Sequence, residues 1–201
     1  MKLLNIAAGK MPYLEDTVKN NDSLFIVNLD TMYYNYDAPE LIEAYYHGLD
    51  GNTSPESKKI FYCKEDVVSF LERTQMTFDV VTIYRFLEHV SFTQVLYFIY
   101  LVSGVVRKGG IVDVIVPNYR ILAQMIIEES MNNEYFEHDN ILLTTELLNE
   151  PSCPHASIWT PARAVHFWEF EKRFIVHNGK LSSQFDYDGR DVYLRFQAER
   201  I

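Results

Sequence analysis

Four groups of residues have types and spacings that can do chemistry. Asn5-Ile6-Ala7-Ala8-Gly9-Lys10 ends an apolar run in small residues, and a small-residue turn lets backbone approach a ligand closely. Asp30 closes Phe25-Ile26-Val27-Asn28-Leu29-Asp30, 21 positions after Gly9. A carboxylate at that distance, at the tip of the next strand, suits ribose, because it accepts two hydroxyl donors at once. Glu65-Asp66 precedes a helical pattern. Asp66 reads first as an N-cap and second as a carboxylate facing an adenine amino group. Tyr84-Arg85 follow the run 78–83, with Glu88-His89 just behind. Histidine is the residue type best suited to general-base work near neutral pH, and His89 is the candidate. The plainer reading is that Glu88 and His89 orient the loop and cap the next helix.

These groups need elements to position them, and the pattern supplies them. Short apolar runs at 3–7, 24–28, 60–63, 78–83 and 110–116 lack clean alternation, as strands buried on both faces do. Helical patterns lie between. Residues 38–47 follow Asp37 as N-cap, with Pro39 in the first turn and Gly48 as stop. Residues 66–73 and 91–106 carry apolar residues at helical spacing, the latter ending at Gly109-Gly110. Strand and helix in alternation predict βαβ units and a parallel sheet. Between Gly9 and Leu24 there is room only for a helix of about two turns.

Beyond Val116 the pattern changes. A helix is expected over 119–130, and residues 119–160 as a whole read as an insertion or lid over the site. Thr160-Pro161 is a start signal for a helix reaching about Lys172. Residues 174–177 and 192–199 read as strands, with Asp188-Gly189 as a turn before the second. Two late strands without a crossover helix predict an antiparallel hairpin at the sheet edge. Cys153-Pro154-His155 holds two metal-ligand types without a second pair at finger spacing. It is read as loop, and no metal is expected. His166 and Trp168, among Phe167 and Phe170, are read as packing.

Composition sets outer limits. The chain has 201 residues, 48% hydrophobic and 23% charged, which fits one globular domain over 1–201. Its 18 basic against 28 acidic residues give a net charge of −10. That is a poor footprint for a nucleic-acid backbone, so no nucleic-acid partner is expected. Two cysteines make no disulfide framework. The N-terminal apolar run is shorter than a secretory one and is soon followed by Glu15-Asp16. The most apolar stretch, 92–106, is too short to span a bilayer. A soluble, cytoplasmic protein without a membrane partner is expected. The hairpin edge and the many aromatics suit a homodimer.

The segments LNIAAGKMPY, FIVNLD, KEDVVSFL, FDVVTIYRFLEHV and GVVRKGGIVDVIVPN, taken in order and spacing, resemble class I S-adenosylmethionine-dependent methyltransferases of the small-molecule type. The resemblance covers roughly residues 1–120 and continues more loosely to the C-terminus. It implies a Rossmann-like α/β fold: a mostly parallel seven-stranded sheet with helices on both faces and a C-terminal antiparallel hairpin. It implies S-adenosylmethionine as cofactor, a small-molecule acceptor and in-line methyl transfer. Ala7, Ala8 and Gly9 would lie against the methionine and ribose parts of the cofactor, Asp30 on the ribose, and Met32 and Asp66 near the adenine. Tyr84 would sit where the fourth-strand loop meets substrate, as a cofactor contact and the second candidate base after His89. The family's Asp/Glu-x-Gly-x-Gly-x-Gly pattern appears here as Asn5-Ile6-Ala7-Ala8-Gly9, with one glycine of three. A non-catalytic scaffold on the same fold is therefore the alternative, and a Rossmann-type domain for a nicotinamide or sugar nucleotide is a third reading. The fourth-strand segment Thr82-Ile83-Tyr84-Arg85 is not the Asn/Asp-Pro-Pro-aromatic tetrad of nucleic-acid amino-methylating enzymes. No Pro-Cys nucleophile for cytosine C5 chemistry is present.

Overall fold

The computed structural model describes residues 1–7, 24–30, 42–44, 58–124, 155–177, 186–187, 190–191 and 193–201. Its main sheet contains β1 (Lys2–Ile6), β2 (Leu24–Leu29), β3 (Ile42–Ala44), β4 (Lys58–Cys63), β5 (Phe78–Tyr84), β6 (Val106–Pro117), β7 (Phe174–Val176) and β10 (Tyr193–Arg200). Their order across the sheet is β3-β4-β2-β1-β5-β6-β10-β7. The five central strands, β4-β2-β1-β5-β6, are parallel. Antiparallel strands close both edges. A separate pair, β8 (Asp186–Tyr187) and β9 (Arg190–Asp191), flanks Asp188-Gly189, where the sequence predicts a turn.

The apolar runs become strands because both faces must be covered. Ile6, Val27, Val81, Ile83, Val112, Val114 and Val116 are fully buried. Three helices share one core with the face that carries these side chains: α1 (Val67–Arg73), α2 (Phe92–Val105) and α3 (Pro161–Glu169). Their starts follow the capping rules. The Asp66 side chain accepts from the Ser69 N–H, and the Thr160 side chain accepts from the Arg163 N–H with Pro161 next in line. Trp168 packs its edge against Phe174 and Phe196, which ties α3 to the antiparallel edge.

Several expectations are corrected. Among the described residues the main sheet has eight strands, not seven, and is mixed at both edges. Residues 38–47 were expected to be helical, yet Ile42–Ala44 is a strand antiparallel to β4, pairing Ile42 with Tyr62. The backbone groups on the open edge of β4 outweigh the capping signals around Asp37 and Gly48. Gly109-Gly110 does not stop a helix. Helix α2 ends at Val105 and β6 begins at the next residue. The glycines lie instead where the β5–β6 register shifts between Phe78 and Val80. Gly109 has φ 70°, and a Cβ on Gly110 would come within 2.8–2.9 Å of Val106, Arg107 and Asp79 atoms. Helix α3 stops at Glu169, short of Lys172. The helix expected between Gly9 and Leu24 lies outside the described residues. Of the expected lid, residues 119–124, which are helical, and 155–160 are described. None of the helices described is long and apolar enough to cross a membrane.

A polar row crosses the sheet. Asn28, Asn5, Thr82 and Asp113 are register partners on four successive strands, and all four are buried. Thr82 Oγ1 donates to Asn5 Oδ1 at 2.8 Å, and Asn5 Nδ2 donates to Asn28 Oδ1 at 3.2 Å. An amide both donates and accepts, so Asn5 links its two neighbours in a way a carboxylate could not. Buried polar groups that satisfy one another fix strand register as well as stability.

Candidate active site at the carboxyl edge

Strand order reverses at β1, which has β2 on one side and β5 on the other. In open α/β sheets, ligands bind beyond the carboxyl ends of the strands at such a point. Ala7 follows β1 there, with φ 54°. This is the left-handed region, which costs a residue with a Cβ about 1 kcal/mol. Arg85, following β5, also has φ 54°. Strained backbone thus stands at the tips of both strands that flank the reversal. Arg85 is fixed by its N–H to the Ile115 carbonyl at 2.8 Å, and its guanidinium lies 5.3 Å from the Tyr193 ring centre.

Asp30 follows β2. Its N–H still donates to the Cys63 carbonyl of β4 at 3.1 Å, so the sheet holds it to the residue before its side chain is needed. Ile6 and Leu29 are register partners, which sets Ala7 and Asp30 side by side, one strand apart. Asp30 is 9% exposed. Asp66 is exposed and its Oδ1 accepts from Ser69 N at 3.0 Å and from Ser69 Oγ at 3.3 Å, so it acts here as the helix cap. Ala8, Gly9 and Met32 lie outside the described residues.

Tyr84 ends β5, but its hydroxyl turns back over the sheet. It donates to Asp113 Oδ2 at 2.7 Å, and Asp113 is level with Thr82, two residues earlier on β5. Arg195 grips the same carboxylate with both Nε and a terminal nitrogen. Burial first, and then the Asp113 charge, push the Tyr84 hydroxyl well above the ordinary phenol range. It is a neutral donor at physiological pH. The group packs beside Ile115, Tyr119, Leu122 and Tyr193.

His89 ends the short 3-10 turn Leu87–His89. The segment 155–159 is laid against this turn. Ala156 and Ser157 N–H groups both donate to the Glu88 carbonyl, at 2.7 and 2.9 Å. Ser157 Oγ donates to the Leu87 carbonyl at 2.8 Å and accepts from the indole of Trp159 at 2.9 Å. His155 is thereby carried to His89, ring edge to ring face, with centres 4.9 Å apart. The Tyr119 hydroxyl lies 2.6 Å from His155 Nδ1. The structure therefore brings together Ala7 with Asp30, and His89 with Glu88 and His155. Sequence reasoning singled out His89 but read His155 as loop, and it missed the Asp113–Arg195 pair. Those partners lie 66 and 82 positions apart in the chain, so no local pattern joins them.

No family model matches the chain, and no curated protein matches it significantly in sequence. Solved structures do match its fold. A S-adenosylmethionine-dependent methyltransferase from Archaeoglobus fulgidus superposes with a TM-score of 0.58 at 11% identity, over 99% of this chain and 86% of that one. The plantazolicin methyltransferase BpumL, solved with a triazolic desmethylPZN analog and S-adenosylhomocysteine, gives 0.60 at 11% identity, over 100% and 76%. An O-methyltransferase family protein from Burkholderia thailandensis gives 0.58 at 11% identity, and this chain spans 50% of its length. The chain has the fold of S-adenosylmethionine-dependent methyltransferases.

Proposed function

We propose that the protein is a S-adenosylmethionine-dependent methyltransferase acting on a small molecule. One observation carries the reading: on this fold, Ala7 and Asp30 stand side by side at the carboxyl edge, next to the point where strand order reverses. The residues present fit the cofactor. Asp30 offers an acceptor-only carboxylate to the ribose hydroxyls. The turn at Ala7 lets backbone approach the methionine end, to which Ala8 and Gly9, outside the described residues, are also assigned. Met32 and Asp66 are assigned to the adenine end, Asp66 beside its capping role. When bound, the cofactor supplies an electrophilic methyl group on sulfur. The protein's task is then to hold the acceptor in line with that methyl group, so proximity and orientation carry most of the rate. His89 lies on the acceptor side by its position after β5. Tyr84 contributes a wall and not a base, because its hydroxyl is committed to Asp113.

The acceptor class is tested by incubating the chain with methyl-labelled cofactor and separate pools of small metabolites, RNA and protein. Label is expected in the small-molecule pool. Label confined to the RNA or protein pool would contradict the assignment of a small acceptor.

A further inference from the structure

Glu88, His89 and His155 each offer one ligand atom, and these atoms all lie within 4.8 Å of one another. From this geometry we propose that the three side chains form a binding site for a divalent transition-metal ion of the zinc type. The inference goes beyond the methyl-transfer reading and departs from the sequence expectation that no metal is bound.

Two imidazoles and one carboxylate form a donor set that selects zinc-type ions, whereas magnesium and calcium favour sites made of oxygen alone. The site is built rather than incidental. Glu88 is 1% exposed, and both ends of the cluster are pinned. Glu88 and His89 belong to one short turn, and three hydrogen bonds from Ala156 and Ser157 fasten His155 to that turn. The Trp159 indole holds Ser157 in place from the other side.

An orienting partner of the kind metal-bound histidines use is also in place. The Tyr119 hydroxyl is 2.6 Å from His155 Nδ1. With Nδ1–H donating to that oxygen, Nε2 is the His155 atom that would face the ion. Ligand atoms around tetrahedral zinc are about 3.3 Å apart, so closing the set takes side-chain rotations of about 1.5 Å at most. Three protein ligands leave a fourth position open, the arrangement found in sites that do chemistry. The cluster follows β5 at the edge where the acceptor is expected. An acceptor oxygen or nitrogen at the open position would lose its proton more readily. His89 would then serve the acceptor through the ion and not as a free base.

The test uses the full-length, tag-free chain, stripped with chelator and titrated with zinc chloride by calorimetry, with neither cofactor nor acceptor present. Its outcome is therefore independent of whether methyl transfer occurs. One zinc per chain is expected, with micromolar affinity. His155→Ala and His89→Ala should each weaken it at least about 10-fold, Tyr119→Phe about 10-fold, and magnesium should not compete. Both histidines are partly exposed, so these variants should fold, as circular dichroism would verify. They decide the matter even where the buried Glu88→Gln does not fold. Absence of zinc binding, or binding unchanged in both histidine variants, would overturn the proposal.

Discussion

At the tips of β1 and β2, Ala7 and Asp30 stand at adjacent strand ends and owe their placement to strand register. At the tips of β5 and β6 the arrangement is different. Tyr84, Asp113 and Arg195 come from three strands, and Glu88, His89, Tyr119 and His155 from three further segments. All are cross-linked by side-chain hydrogen bonds or by the backbone pins on Glu88. The first region is set by backbone pairing between neighbouring strands. The second shares its polar contacts with the fold itself. Substitutions at β1–β2 should therefore change ligand binding, and those at β5–β6 should change stability first.

The largest stability effect is expected at Asp113. Asp113→Ala leaves the Arg195 guanidinium and the Tyr84 hydroxyl without their shared acceptor, and should cost about 3 kcal/mol in urea unfolding. Tyr84→Phe, which leaves Asp113 held by Arg195, should cost only about 1.5 kcal/mol. Equal losses would show that the pair is not one network. Next comes Ser157→Ala, which leaves the Trp159 indole N–H buried without its acceptor and removes one of the two donors to the Leu87 carbonyl. A loss of about 2 kcal/mol is expected, together with faster hydrogen exchange at the Ala156 and Ser157 amides.

On the β1 side the sign reverses. Ala7→Gly relieves a left-handed φ worth about 1 kcal/mol, and after the entropy cost of glycine it should stabilise by at most about 0.5 kcal/mol. A destabilised variant would mean the Ala7 methyl group is needed where it packs. The last effect, confined to alkaline pH, concerns Cys63, at the end of β4. Burial, and then the Glu65 carboxylate, push its thiol from the ordinary 9.0 up to about 11. The folded value lies above the unfolded one, so this contribution is present below pH 9 and is lost as pH rises towards 11. Unfolding midpoints of wild type and Cys63→Ala should therefore converge across that window. A constant difference would contradict the shift.

The same contrast explains what could be read from the sequence. The five central strands and the caps at Asp66 and Thr160 are local signals: buried runs of valine and isoleucine, and side chains within three residues of the amides they cap. Asp30 was legible because strand, turn and strand fix its distance from Gly9. The strand at Ile42–Ala44 was not, because it depends on an open edge at β4 that exists only once the sheet forms. His155 was hidden for a similar reason. Cys153-Pro154-His155 carries no spacing that points to Glu88-His89, and the hydrogen bonds of Ala156 and Ser157 to the Leu87 and Glu88 carbonyls bring them together. Asn5 and Thr82 read as polar interruptions in apolar runs until register makes them partners.

The central claim is that the β1–β2 tips bind S-adenosylmethionine through Asp30. Calorimetric titration of wild type and Asp30→Ala with S-adenosylmethionine and S-adenosylhomocysteine tests it most directly. Micromolar binding is expected for wild type, with at least a tenfold loss in an Asp30→Ala variant whose fold is verified by circular dichroism. No heat with either ligand, or equal affinity in the variant, would contradict the account.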